Sequence, residues 1–148
     1  MRVVIQRVSG AEVRVDGRAI ARIGRGLTLL VAIEKDDTTA DLDWVANKVL
    51  QMRVFEDSSG KMNLSATDVG ADILVVSQFT LAADLERGRR PGFDKAAPPK
   101  RAQRILELFV ERLADSGLRI AAGRFGAFME VDLVNHGPVT FILERPRR

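Results

Sequence analysis

Ala11-Glu12-Val13-Arg14-Val15-Asp16-Gly17-Arg18-Ala19-Ile20-Ala21-Arg22-Ile23 decides the fold. Ala11, Val13 and Val15 alternate with charged residues, the period of a strand with one buried face. Asp16-Gly17 is a strong hairpin signal, because a tight turn between twisted strands needs residues that accept positive φ. Arg18 to Ile23 then runs back. Upstream, Val3 to Val8 reads as a further strand. Downstream, Gly24-Arg25-Gly26 breaks the chain, and Leu27 to Ile33 is a short unbroken apolar run, as in a strand covered on both faces. The connections between these strands are too short for parallel crossovers.

Beyond them the period changes. Leu42, Val45, Ala46 and Val49 are spaced as one apolar helix face over residues 38–52, with Asp37, Thr38 and Thr39 as N-cap candidates. Trp44 lies off that stripe and reads as edge packing. Asp57-Ser58-Ser59-Gly60-Lys61 is a turn. Ile73 to Phe79 reads as a strand, and residues 83–99 as a long polar loop of the kind that is usually functional or disordered. A second helix is expected over about residues 100–116, with Ala102, Ile105, Leu106, Phe109 and Leu113 inward and Gly117 just past its end. Strands near 119–122, 128–135 and 138–144 complete the chain, and Arg145-Pro146-Arg147-Arg148 reads as a frayed tail. The expected fold is α+β: one domain over residues 1–148, a mostly antiparallel or mixed sheet with a barrel-like core, and two main helices.

With 148 residues, 46% hydrophobic and 29% charged, the composition is that of a soluble globular domain with a real core. No apolar run is long enough to span a bilayer, and the charged N-terminal strand is unlike a signal peptide, so the expected location is cytoplasmic. The absence of cysteine excludes disulfides, thiol catalysis and cysteine metal sites. With one histidine, His136, and no carboxylate cluster of suitable spacing, no metal and no cofactor are expected. The net charge of +3 permits a polyanionic partner without demanding one.

Three places can carry chemistry. Ser77-Gln78-Phe79-Thr80-Leu81 ends an apolar strand with hydroxyls, an amide and a backbone leaving the ladder. Ser77 or Thr80 as a nucleophile needs a base. The single imidazole, His136, oriented by Asp132 or Asp84, provides one only on paper, without a nucleophile-elbow motif around Ser77. Alternatively, unpaired N–H groups at the strand end can hold an oxyanion with no titrating side chain. In Asn135-His136-Gly137-Pro138-Val139-Thr140, Gly gives up its side chain and Pro its N–H, so the turn can aim carbonyl oxygens into a site. The third place is a basic stretch: Arg87, Arg89, Arg90, Lys95, Lys100, Arg101 and Arg104, with Phe93 among them. Guanidinium groups suit phosphates, and an aromatic ring can stack on a base. Strand-end capping by Ser77 and Thr80 with Phe79 in the core also accounts for the first place, an exposed turn residue for His136, and a solvated, mobile loop for the third.

Together these residues resemble the D-aminoacyl-tRNA deacylases of the D-Tyr-tRNA deacylase family. The likeness runs through Ile5-Gln6-Arg7-Val8, Glu34-Lys35-Asp36-Asp37, Gly60-Lys61-Met62-Asn63-Leu64, Val75 to Leu81, Gly123-Arg124-Phe125-Gly126-Ala127 and Leu133 to Thr140. The pieces are specific in combination and order, not singly. His136 departs from the pattern, since Asp commonly precedes the Gly-Pro.

The resemblance implies a homodimer with active sites at the subunit interface and a cis Gly137-Pro138 bond inserted from one subunit into its neighbour's pocket. There the carbonyl oxygens would receive the substrate's amino group and leave room for a D-side chain or glycine, while an L-side chain would collide. It implies hydrolysis of D-aminoacyl-tRNA, including glycyl-tRNA mischarged on tRNA-Ala. Ser77, Gln78, Phe79 and Thr80 would form the catalytic segment, with the Phe79 and Thr80 backbone supporting the oxyanion and Phe79 holding the 3′-terminal adenosine. Arg7 would fix the Gly-Pro loop, Phe125 and Met129 would line the substrate site, and Arg87, Arg89 and Arg90 would meet tRNA phosphates. The substrate's 2′-hydroxyl would assist proton transfer in place of a protein base. A covalent Ser77 or Thr80 hydrolase and a non-catalytic RNA-binding module stay open as alternatives.

Overall fold

In the computed structural model, which describes residues 1–146, Asp16 and Gly17 adopt φ of 50° and 75° and close the expected hairpin between β1 (Arg2–Val15) and β2 (Arg18–Ile23). Strand β1 is continuous where two strands are expected. Its alternation changes phase at Val8, so Val3 and Ile5 enter one core cluster and Val8, Ala11 and Val13 another. One strand thereby serves two cores, and a bulged ladder absorbs the change of face.

Strand β3 (Gly26–Ala32) pairs antiparallel with the first half of β1 and is buried on both faces, as its unbroken apolar run predicts. Helix α1 (Thr39–Gln51) follows. Thr38 caps it in a reciprocal box with Asp41, whose carboxylate accepts the Thr38 N–H at 2.8 Å. Leu42, Val45, Ala46 and Val49 form its buried face. The Asp57–Lys61 turn joins β4 (Phe55–Glu56) to β5 (Met62–Leu64), and α2 (Ala66–Val69) is an unforeseen single turn capped by Ser65. Four residues are too few to show a helical period.

Strand β6 (Asp72–Ser77) runs parallel to β3 and stops two residues earlier than expected, because Phe79–Ala82 winds into a 3₁₀ turn. Helix α3 (Pro99–Ala114) crosses to β7 (Ile120–Ala122), which is parallel to β6. The strands expected at 128–135 and 138–144 are one, β8 (Glu130–Glu144), antiparallel to β1 along most of its length. The sheet runs β2-β1-β3-β6-β7, with β8 on β1. It curls until Asp72 on β6 accepts hydrogen bonds from Gly24 after β2 at 3.0 Å and from Arg119 before β7 at 3.2 Å, which nearly closes a barrel. Inside lie Val8, Val13, Leu74 and Val76. Outside, α1 and α3 cover Leu27, Leu29, Ile73 and Val75. Phe109 of α3 is fully buried there, and burial of such a ring contributes about 1.5–3 kcal/mol.

The tail expectation fails for Arg145, which pairs with Asp41 at the start of α1 at 2.9 Å. Arg147 and Arg148 lie outside the described residues.

Candidate active site

At the C-terminal end of β6 the chain leaves the sheet. The Gln78 N–H still bonds back to Val31 of β3 at 2.8 Å, and the 3₁₀ turn begins at the next residue. The first residues of any helical turn have no acceptor within it, so the Phe79 and Thr80 N–H groups are left over. The Leu81 and Ala83 N–H groups are taken by the carbonyls of Gln78 and Thr80. The Gln78 side-chain amide donates to the Thr80 hydroxyl at 2.5 Å, which holds the Thr80 oxygen at the surface.

Beside this turn lies an apolar cavity of about 450 Å³. Ser77, Phe79, Phe93, Pro98, Leu106 and Phe125 are among the residues that line it. The rings of Phe79 and Phe93 meet at 5.1 Å between centroids, tilted by 60°. Phe79 remains 55% exposed, so its free face is available to a flat ligand. Phe93 is brought here because its loop zips onto the end of β3. The Ala97 N–H bonds to Ile33 at 3.0 Å, and the Lys35 N–H bonds to Lys95 at 3.0 Å. The long loop is thus partly laddered. Arg87, Arg89 and Arg90 sit at its exposed tip, closed at the base by mutual backbone bonds of Asp84 and Gly92.

The Gly137-Pro138 segment is elsewhere in the chain. Gln6 of β1 pairs with Thr140 and Val8 with Asn135, so His136, Gly137, Pro138 and Val139 bulge out opposite the single residue Arg7. Asn135 ties off the bulge: its side chain accepts the Val139 N–H at 2.7 Å and donates to the Thr140 hydroxyl at 2.8 Å. Arg7, 5% exposed, donates to the carbonyls of His136 at 2.9 Å and Val54 at 2.7 Å. The Gly137-Pro138 bond is cis, as the resemblance implies. Sequence reasoning had no signal for the parts played by Asn135 and Val54, because both act through contacts made only by the folded ladder.

These two halves do not meet within one chain. Ser77 stands opposite Val31 on β3, whereas Arg7 stands opposite Leu27. Those four residues alone separate them by about 13 Å along the strand, at ~3.3 Å per residue. Met129, expected beside Phe125 in the substrate site, is not among the cavity-lining residues; it packs against Gly123 and the barrel interior instead. A nucleophile triad is not assembled: Asp132 faces Arg14 at 3.5 Å and Asp84 accepts the Glu86 N–H at 2.9 Å. Among the described residues no hydrogen bond joins either carboxylate to His136.

Comparison with known proteins supplies the family. Residues 4–144 match the family model described as D-Tyr-tRNA(Tyr) deacylase. A D-aminoacyl-tRNA deacylase of Geotalea uraniireducens is 51% identical over 99% of this chain and 95% of its own. One from a Cyanothece strain is 53% identical over 98% and 92%. A solved structure titled c-Myc DNA Unwinding Element Binding Protein superposes with a TM-score of 0.93 at 42% identity, covering 99% of this chain and all of that one. A probable eukaryotic D-amino acid tRNA deacylase, at 18% identity, shares the fold with a TM-score of 0.84 over 96% and 97%. The chain belongs to the D-Tyr-tRNA(Tyr) deacylase family of hydrolases.

Proposed function

We propose that this protein performs the family's D-aminoacyl-tRNA hydrolysis with its backbone, releasing a free D-amino acid and tRNA. The observation that carries this reading is the pair of leftover N–H groups at Phe79 and Thr80 beside an apolar cavity, with no base hydrogen-bonded to either hydroxyl among the described residues. An aminoacyl ester is already activated. Attack by water needs orientation and a cradle for the developing oxyanion more than a strong nucleophile. Ser77 and Gln78 shape the rim, and the exposed face of Phe79 takes the 3′-terminal adenosine. Phe125 forms part of the wall. The substrate's 2′-hydroxyl relays the proton.

Chirality is read by the Gly137-Pro138 bulge of a second copy. Its carbonyl oxygens receive the ammonium group, and an L-side chain collides with the backbone while a D-side chain or glycine does not. Glycyl-tRNA mischarged on tRNA-Ala is therefore also a substrate. The separation of the bulge from its own chain's cavity supports a homodimer with shared sites. So does the apolar surface on and beside β8, where Phe128 is 92% exposed and Ile142 72%. Arg87, Arg89 and Arg90 contact tRNA phosphates. No helix among the described residues is long and apolar enough to cross a membrane, and the proposed site of action is the cytoplasm, where aminoacyl-tRNA is used.

The test is deacylation of matched D- and L-aminoacyl-tRNA pairs by purified protein. Fast release of the D-amino acid with little release of the L form is expected. Equal rates on both would refute the carbonyl gate, and RNA binding without ester turnover would favour a binding module.

A further inference from the structure

The 3₁₀ turn that offers the Phe79 and Thr80 N–H groups is held at both ends, and only one hold comes from the sheet ladder. At its start, the Gln78 N–H bonds to the Val31 carbonyl on β3. At its far end the Thr80 carbonyl accepts the Ala83 N–H. The next carbonyl, Leu81 O, accepts a hydrogen bond of 2.9 Å from Nη1 of Arg2 near the start of the chain. Arg2 is the first residue of β1. It stands in register with Ala32 of β3 on one side and Glu144 of β8 on the other. Its guanidinium forms an ion pair with the Glu144 carboxylate. Three strands therefore converge on one side chain that reaches the end of the candidate oxyanion turn.

We infer that Arg2, braced by Glu144, is a positioning residue for this site: it fixes the direction in which the Phe79 and Thr80 N–H groups point by holding the Leu81 carbonyl. The inference rests on the proposed role of those N–H groups. A cation at the C-terminal end of a helical turn is favourable, because the unpaired carbonyls there carry partial negative charge. The turn is only four residues long, Phe79–Ala82, so a tilt at Leu81 is transmitted to Phe79 and Thr80 with little loss. Catalytic hydrogen bonds are sensitive to such tilts, since a misplacement on the order of 1 Å can cost about a hundred-fold in rate. Arg2 is not among the residues that line the apolar cavity, so its loss removes none of that lining.

The experiment is steady-state kinetics on a D-aminoacyl-tRNA with Arg2→Met, Arg2→Lys and Glu144→Gln, alongside Arg22→Ala as a control that breaks the Arg22–Glu12 ion pair away from the turn. Arg2→Met keeps the apolar stem and should lower kcat about ten-fold with KM changed less than two-fold, a smaller loss than removal of an oxyanion donor itself. Arg2→Lys, which retains one charged donor, should recover most of the rate. Glu144→Gln should give a smaller loss in the same direction, and Arg22→Ala none. An unchanged kcat in Arg2→Met overturns the inference. So does a fall in kcat matched by a fall in folded fraction or by a rise in KM, or a failure of lysine to rescue. Replacing the Thr80 amide by an ester through semisynthesis separates the two levels. If that exchange leaves kcat intact, the oxyanion reading falls and this inference with it. If it lowers kcat while Arg2→Met does not, only the role of Arg2 falls.

Discussion

Arg7 holds His136 by its backbone: Nε of the buried guanidinium donates to the His136 carbonyl at 2.9 Å, while Nη1 donates to Val54 at 2.7 Å. One side chain thus spans from the bulge in β8 to the segment ahead of β4. Arg7→Met would leave two carbonyls without their donor, each worth about 1–3 kcal/mol when desolvated. The expected result is a loss of roughly 2–6 kcal/mol in urea unfolding, together with weaker discrimination between D- and L-esters. An unchanged denaturation midpoint with unchanged enantiomer preference would show that the bulge needs no anchor.

Gly137 has φ of 143°, and a Cβ there would lie 2.7 Å from Val139 Cγ2 and 3.1 Å from Arg7 Nη2. Gly137→Ala therefore strains the backbone, by about 1–3 kcal/mol, and pushes on Arg7 at the same time. Activity on D-aminoacyl-tRNA should fall by at least about ten-fold, as a barrier increase of 1.4 kcal/mol implies. Near-normal kinetics in this variant would place the bulge outside the reaction.

Thr80→Ala and Ser77→Ala should slow hydrolysis without exposing a covalent intermediate, because no base is hydrogen-bonded to either hydroxyl among the described residues. Removing the Thr80 oxygen also frees the Gln78 amide bonded to it at 2.5 Å, so a moderate loss is expected there. Rapid quench and mass spectrometry would settle the matter. An aminoacyl adduct on either side chain would establish nucleophilic catalysis instead.

Reversing charge at Arg89 and Arg90 should raise KM for tRNA more than it lowers kcat, since phosphate contacts contribute mainly uniform binding. Both are exposed at the tip of the loop closed by Asp84 and Gly92. The defect should shrink as salt rises, because the lost contacts are the ones that salt screens. A KM that keeps its wild-type value and salt dependence would assign tRNA contact to another surface.

Asp41 gives a pH test of the fold. Partial burial pushes its carboxyl up, but hydrogen bonds from the Thr38 backbone and hydroxyl and the nearby Arg145 outweigh this and hold it below its ordinary 3.8. A depressed carboxylate binds fewer protons folded than unfolded. Its contribution is present above the unfolded value and is lost as pH falls through the folded one. Asp41→Asn should therefore lower stability near neutrality and flatten the fall below pH about 4. Thr38→Ala should cost about 1 kcal/mol at neutral pH. Parallel acid titrations of the mutant and wild type would reject this role for Asp41.

The sequence by itself determined the elements whose cause is local. Asp16-Gly17 fixes a hairpin because its φ values suit that turn. Leu42, Val45, Ala46 and Val49 fix α1 because four apolar residues at helical spacing have one way to be buried together. The candidate segments were also legible as segments, because hydroxyls and a Gly-Pro sit where strands would carry only packing residues. Tertiary structure decided where those segments lie. Nothing local separates Gly137 from Thr80; the pairing of Ser77 with Val31 and of Arg7 with Leu27 does. Nor does anything near Leu81 announce Arg2, which reaches it only because β1 runs beside both β3 and β8. Local pattern follows from steric and hydrophobic rules acting over a few residues. Register, by contrast, is set by which distant faces bury each other, and that is fixed only when the sheet curls closed.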